Sequence, residues 1–167
     1  KNYSIGDVVS LLWFKKKFPR FVSEFFELAL KLTADHGPCV SGAHNAIVTA
    51  RAGKDIAAAV ASGVLTIGPM FGGAIDDAAR LFKAAQDHGQ SPRDFIDYMK
   101  ENGKKIPGIG HKIKSAQNPD MRVTILKDWA FKNLKEHSLL DFALSVEKVT
   151  LTKKNNLILN VDGCIGV

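Results

Sequence analysis

The sequence predicts an all-α protein, and three observations carry that reading. Apolar residues recur three, four, seven and eight positions apart in segment after segment, the spacing of one helix face. Helix boundaries are marked between those segments by Gly37-Pro38, Ser91-Pro92 and Asn118-Pro119-Asp120. No stretch alternates with period two for long. Leu157-Ile158-Leu159 is the one plausible strand, and it is very short.

The elements follow in order. Residues 6–14 read as an apolar first helix ending at Trp13-Phe14, and Lys15-Lys16-Lys17 as a solvated face. Pro19 starts a second helix in which Phe21, Phe25, Leu28, Ala29 and Leu32 share one stripe, expected to be core. That stripe stops at Thr33-Ala34-Asp35-His36-Gly37-Pro38, which leaves His36 at a helix end where its side chain can reach a cleft. His44-Asn45 opens a third helix. Residues 55–65 form a fourth, with Ile56, Ala59, Val60, Gly63 and Val64 on a small-residue face suited to close packing. The glycine-rich turn from Gly68 to Ala74 is a corner, a hinge or a place where backbone approaches a ligand. It feeds a fifth helix with Ile75, Ala78, Ala79, Phe82 and Ala85 inward and Gly89 just past its end. Ser91, Pro92 and Asp94 stand as N-cap, N1 and N3 of a sixth helix carrying Phe95, Ile96 and Met99. A seventh, opened by Asn118-Pro119-Asp120, places Met121, Ile125, Leu126, Trp129 and Leu134 on its inner side. Residues 139–149 form an eighth, with Leu139, Phe142, Ala143, Val146 and Val149 on one face. Asp162 reads either as a buried carboxyl able to hold a proton or as the N-cap of a last helix from Gly163.

Composition sets limits. With 167 residues, 46% hydrophobic and 24% charged, the chain is globular and about one domain long. The net charge of +6 comes from dispersed lysines without an aromatic-basic RNA motif, so an acidic small molecule explains it better than nucleic acid. Cys39 and Cys164 have no metal-ligand spacing and read as reduced, small apolar side chains. No metal site, signal peptide or membrane span is expected, and the compartment expected is the cytoplasm. The apolar end at Gly163-Cys164-Ile165-Gly166-Val167 leads us to expect a piece of a longer polypeptide.

The stretch with most chemistry is Lys104-Lys105-Ile106-Pro107-Gly108-Ile109-Gly110-His111-Lys112-Ile113-Lys114. Its glycines expose backbone, its histidine can move a proton near neutral pH, and its lysines favour an anion. Arg122 lies in the first turn of the seventh helix, where a cation opposes the helix dipole and gains little unless an anion binds.

Taken together, Ala34-Asp35-His36, Gly68-Pro69-Met70-Phe71-Gly72-Gly73-Ala74, Gly108-Ile109-Gly110-His111, Asn118-Pro119-Asp120-Met121-Arg122 and Asn160-Val161-Asp162-Gly163 resemble the citrate synthase superfamily, in the right order over roughly 130 residues. Within it the chain is most similar to the C-terminal citryl-CoA lyase domain of ATP-citrate lyases. Phe71 stands where citrate synthases carry a thioester-binding histidine, and ATP-citrate lyases share the phenylalanine.

The resemblance implies a citrate synthase-like fold with residues 1–72 in a large helical lobe, 73–162 in a smaller one, and 163–167 starting the return. It implies His36, His111 and Asp162 as catalytic residues, and Arg122, Phe71 and Gly72 as substrate-binding. Ile106, Pro107, Gly108, Ile109 and Gly110 would recognise the adenine of coenzyme A, with Lys100, Lys104, Lys105, Lys114, Lys153 and Lys154 at its phosphates. The implied reaction is retro-Claisen cleavage of citryl-CoA to acetyl-CoA and oxaloacetate, with His111 as base, His36 holding the oxygen and protonated Asp162 as acid. ATP, Mg and citrate activation would belong to other domains of the parent enzyme, and the assembly would be a homo-oligomer. A citrate synthase, a stand-alone citryl-CoA lyase, a non-catalytic oligomerisation module and, third, a nucleic-acid binder are the competing readings.

Overall fold

The computed structural model describes residues 2–34, 36–68 and 72–167. Among them are nine α-helices and no strand: α1 (Ile5–Phe14), α2 (Arg20–Thr33), α3 (Ser41–Arg51), α4 (Ile56–Val64), α5 (Ala74–Asp87), α6 (Pro92–Glu101), α7 (Met121–Asn133), α8 (Ser138–Leu151) and α9 (Val161–Gly166). None of them is long and apolar enough to cross a membrane. The chain divides into two compact units, Lys1–Val40 and Ser41–Val167. The last helix, α9, packs on α5 and α7.

The first unit is the helix pair α1·α2. Ser4 and Asp7 close a capping box at the start of α1. The seam between the helices is small and polar. A side chain at Gly6 would reach within 2.2 Å of the Ser23 carbonyl oxygen. The Ser23 hydroxyl donates to Asp7 Oδ1 at 2.7 Å, and the Gly6 amide donates to Glu27 Oε1 at 3.1 Å. The expected apolar core stripe of α2 is therefore not its buried face: Ser23 is the buried residue of α2 and Phe21 is exposed.

In the second unit, α3 and α4 pack through glycines. A side chain at Gly63 would meet the Gly42 carbonyl oxygen at 2.9 Å, and Thr49 donates to the Ser62 hydroxyl at 2.9 Å. The small-residue face narrows to Ala59 and Gly63, since Ile56, Val60 and Val64 are exposed. The third helix starts at Ser41, three residues before the expected His44.

The apolar core lies among α5, α6 and α8, where the rings of Phe82, Phe95 and Phe142 pack with centroids 5.2–6.2 Å apart. Ala78, Ala85, Ile96, Met99, Ala143 and Val146 close it. In α7 and α8 the expected Leu126, Ala143 and Val146 are buried, and the faces differ at single positions. In α7, Val123 and Leu126 are buried while Met121 and Ile125 are exposed; in α8, Leu140 is buried, and Leu139 less so. Cys164 is buried, and that burial pushes its thiol up to about 12. Cys39 is exposed, and both cysteines are free thiols, as read from the sequence.

Candidate active site

The loop after α6 is laced to the segment before α9. The Gly110 amide donates to the Ile158 carbonyl at 2.7 Å, and the Asn160 amide to the Gly108 carbonyl at 2.9 Å. The His111 amide donates to the Asn156 carbonyl at 3.0 Å, and the Asn156 side chain returns a bond to the His111 carbonyl at 2.9 Å. The expected strand at 157–159 is only this ladder, an isolated antiparallel bridge between Ile109 and Leu159. Gly108 has φ +79°, and a side chain there would fall 2.4 Å from the Gly163 Cα. Backbone thus touches backbone where the loop meets α9. The lacing holds the loop that carries His111 against the segment that leads into α9 and Asp162.

His111 has a defined tautomer. The Ile113 and Lys114 amides both donate to its Nδ1, at 3.0 and 2.9 Å. An amide can only donate, so Nδ1 carries the lone pair and the neutral ring bears its proton on Nε2. The outward-facing nitrogen is a donor.

Arg122 is already paired. Asp120, only 5% exposed, caps α7 by accepting from the Arg122 amide at 3.0 Å. Its carboxylate also receives the guanidinium side-on, with Nε at 3.0 and 3.2 Å and Nη2 at 2.7 Å. The anion that makes a cation tolerable at this helix start is the chain's own Asp120. Two of the five guanidinium N–H groups are engaged, which leaves three able to donate to an anion. Hydrogen bonds from Arg122 hold the Asp120 carboxyl below the usual carboxylate range against the opposing effect of burial, and His111 adds to the lowering. Arg122 is raised, first by Asp120 and in smaller part by Asp162. His111, Arg122 and Asp162 therefore lie in one electrostatic neighbourhood around Asp120.

Asp162 is the second residue of α9, half-buried, and is not its N-cap. Asn160 is, accepting from the Gly163 amide through Oδ1 at 3.0 Å. The Asp162 carboxylate has no capping duty.

His36 belongs to the first unit. Its Nδ1 lies 3.2 Å from the Thr33 carbonyl oxygen. A carbonyl only accepts, so Nδ1 carries the proton and Nε2 of the neutral ring is an acceptor. Phe71 lies outside the described residues. Gly72 is exposed with φ +92° and bridges to Gly68.

A separate cavity of about 470 Å³ is lined by Ile96, Met99, Lys100, Lys104, Lys105, Ile106, Ile109, Thr150, Lys153 and Leu157. Its walls are apolar and four lysines contribute to it. Lys100, Lys104, Lys105 and Lys153 are thus brought together as expected, and Lys114 and Lys154 are not among them. The 106–111 loop serves both places, with Ile106 and Ile109 in the cavity wall and His111 at its far end. Sequence reasoning missed Asp120, Asn156 and Asn160 as parts of the site. For Asp120 and Asn160 the available signal is an Asp or Asn just before an apolar helix start; for Asn156, in a polar turn, no local signal exists. Among the described residues, no group of three or more His, Cys, Asp or Glu could hold a metal ion.

The profile of the citrate synthase C-terminal domain matches residues 1–167. A probable ATP-citrate synthase of Dictyostelium discoideum is 62% identical over 167 residues, which is all of this chain and 27% of that protein. Among solved structures, ATP citrate lyase from Methanothrix soehngenii, in complex with citrate and coenzyme A, superposes with a TM-score of 0.95 at 59% identity. The match covers 98% of this chain and 26% of that one. Citryl-CoA lyase from Hydrogenobacter thermophilus gives a TM-score of 0.88 at 30% identity, over 99% of this chain and 64% of that one. The chain spans about a quarter of the length of the first two.

Proposed function

The chain belongs to the citrate synthase family, and on that premise we propose that it is the citryl-CoA lyase module of an ATP-citrate lyase. The reaction is cleavage of citryl-CoA to acetyl-CoA and oxaloacetate, in a cytoplasmic homo-oligomer. ATP and Mg are used by other parts of that enzyme. The observation that carries the reading is the single loop joining a lysine-bearing apolar cavity to the His111, Arg122 and Asp162 cluster. Apolar walls suit the adenine and pantetheine of coenzyme A, and the lysines its phosphates. Phe71 and Gly72 are assigned to the substrate side.

Cleavage removes a proton from the tertiary hydroxyl, moves the carbon–carbon bond electrons onto the thioester as an enolate, and returns a proton to the enolate carbon. No water is consumed. His36, with Nε2 left as the acceptor, takes the hydroxyl proton. His111 donates from Nε2 to the substrate oxygen. Arg122 offers its remaining N–H groups to a substrate carboxylate, a charge-assisted contact. Asp162 supplies the proton to the departing carbon. Acid–base help of this kind is worth about 10²–10⁴-fold per group. Relative to the sequence-based assignment, the two histidines exchange roles, and their tautomers support the exchange. The exposed apolar residues Leu12, Trp13 and Phe14 of α1 are consistent with a further partner surface.

The experiment is single-turnover cleavage of citryl-CoA by the full-length polypeptide, following oxaloacetate, with coenzyme A affinity measured in parallel. Asp162→Ala is expected to lose most turnover and keep coenzyme A binding. Full turnover in that variant would remove Asp162 from the reaction.

A further inference from the structure

Asn160 makes four hydrogen bonds, and they run in two directions. Toward α9, its carbonyl accepts from the Cys164 amide at 2.9 Å, and its Oδ1 from the Gly163 amide at 3.0 Å. Toward the loop, its amide donates to the Gly108 carbonyl at 2.9 Å, and its Nδ2 to the Gly110 carbonyl at 2.9 Å. The orientation of the side-chain amide is fixed by its partners, because Gly163 offers only a donor and Gly110 only an acceptor. One end of this amide therefore holds the helix that begins Val161-Asp162. The other holds the carbonyl of the residue immediately before His111.

We propose that Asn160 is a positioning residue that sets the separation between the proton donor Asp162 and the hydrogen-bond donor His111. This rests on the roles proposed above for those two groups. Capping alone would need only Oδ1, and Ser, Thr or Asp would serve as well. Among the N-capping side chains, Asn alone puts an acceptor and an N–H donor on one rigid plane, which lets it cap a helix and grip a carbonyl together. Asn156 holds the other side of His111 through the His111 amide and carbonyl, so the loop is gripped at two successive residues. Losing the Gly110 bond frees one of these grips and leaves the cap in place.

The test uses the full-length polypeptide and two variants that keep the cap. Asn160→Ser retains an acceptor for the Gly163 amide and loses the reach to Gly110. Asn160→Asp retains the cap and sets a carboxylate oxygen against the Gly110 carbonyl. Turnover, KM for citryl-CoA, coenzyme A affinity and thermal midpoint are measured for each. A misplacement of about 1 Å can cost on the order of 10²-fold in rate. The expected result is a fall in kcat of about 10- to 100-fold, larger for Asn160→Asp, with KM and coenzyme A affinity within about twofold of wild type. Unchanged kcat in both variants would overturn the proposal. So would a loss of kcat that only follows the loss of thermal stability and coenzyme A binding. A wild-type protein that releases no oxaloacetate from citryl-CoA would instead overturn the lyase reading itself.

Discussion

At the scale of single residues, the site is defined by which atoms carry protons. Two amides on His111 Nδ1 leave an N–H at Nε2, and a carbonyl at His36 Nδ1 leaves a lone pair at Nε2. The carboxamide of a glutamine reaches about as far as Nε2 and can donate there, but it cannot serve as a base. His111→Gln should therefore keep clearly more turnover than His111→Ala, by about tenfold. His36→Gln should lose about 10²-fold or more, as removal of a general base does. Equal turnover in the two His111 variants would return that residue to the role of base. Asp120 gives a second prediction. Asn at this position still caps α7, so Asp120→Asn removes mainly the charged partner of Arg122, at a cost of about 1–3 kcal/mol at neutral pH. Because the folded-state pKa of Asp120 is lowered, its contribution is present above the unfolded carboxylate value and is lost as pH falls through the folded one. The gap in thermal midpoint between wild type and Asp120→Asn should be full at pH 7 and close progressively in acid below about pH 4. A gap independent of pH would show that the ion pair is not its origin.

Among the helices and loops, the informative feature is how closely backbones approach. Gly103 and Gly108 both adopt positive φ, yet they differ in surroundings: nothing lies within 4 Å of a side chain at 103, while one at 108 meets the Gly163 backbone. Gly103→Ala should cost only the left-handed backbone penalty, about 1–2 kcal/mol. Gly108→Ala adds overpacking of about 1–3 kcal/mol and pushes α9 from the loop. Denaturant midpoints should fall more for Gly108→Ala, and lyase turnover should fall only there. Equal loss of turnover in both would mean that the contact with Gly163 does not position α9. Helix content was legible in the sequence because caps and period are local. Ser91, Pro92 and Asp94 form the capping box their spacing predicts. The misses lie where two neighbours could each cap. Asp120 is chosen over Asn118 and Asn160 over Asp162, and the loop ladder that sets Asn160 is a long-range contact no local pattern reveals. The α2 stripe was misread for a related reason. A periodic apolar face tells which residues can be covered, whereas the partner α1 covers the polar side with Gly6, Asp7 and Ser10.

At the scale of the whole molecule, a net charge of +6 has to be located before it means anything. Sequence alone offered six lysines for one anionic ligand. The fold collects the four that sit at the end of α6, in the following loop and just past α8, because α6 packs on α8. Lys114 contributes its amide to His111 instead. The clustering of charge therefore predicts a graded, salt-dependent effect confined to those four. An exposed lysine contributes about 0.2–1 kcal/mol to a charged contact, so each of Lys100→Ala, Lys104→Ala, Lys105→Ala and Lys153→Ala should weaken coenzyme A binding by at most about fivefold. The quadruple variant should lose about 10- to 100-fold and lose most of the salt dependence, since screening acts on exposed charges. Lys154→Ala, exposed but outside the cavity, should leave affinity within twofold. Titration calorimetry at two ionic strengths decides the matter. Affinity that falls with salt as steeply in the quadruple variant as in wild type would place the phosphates elsewhere, and the cavity would then be only a gap between α6 and α8.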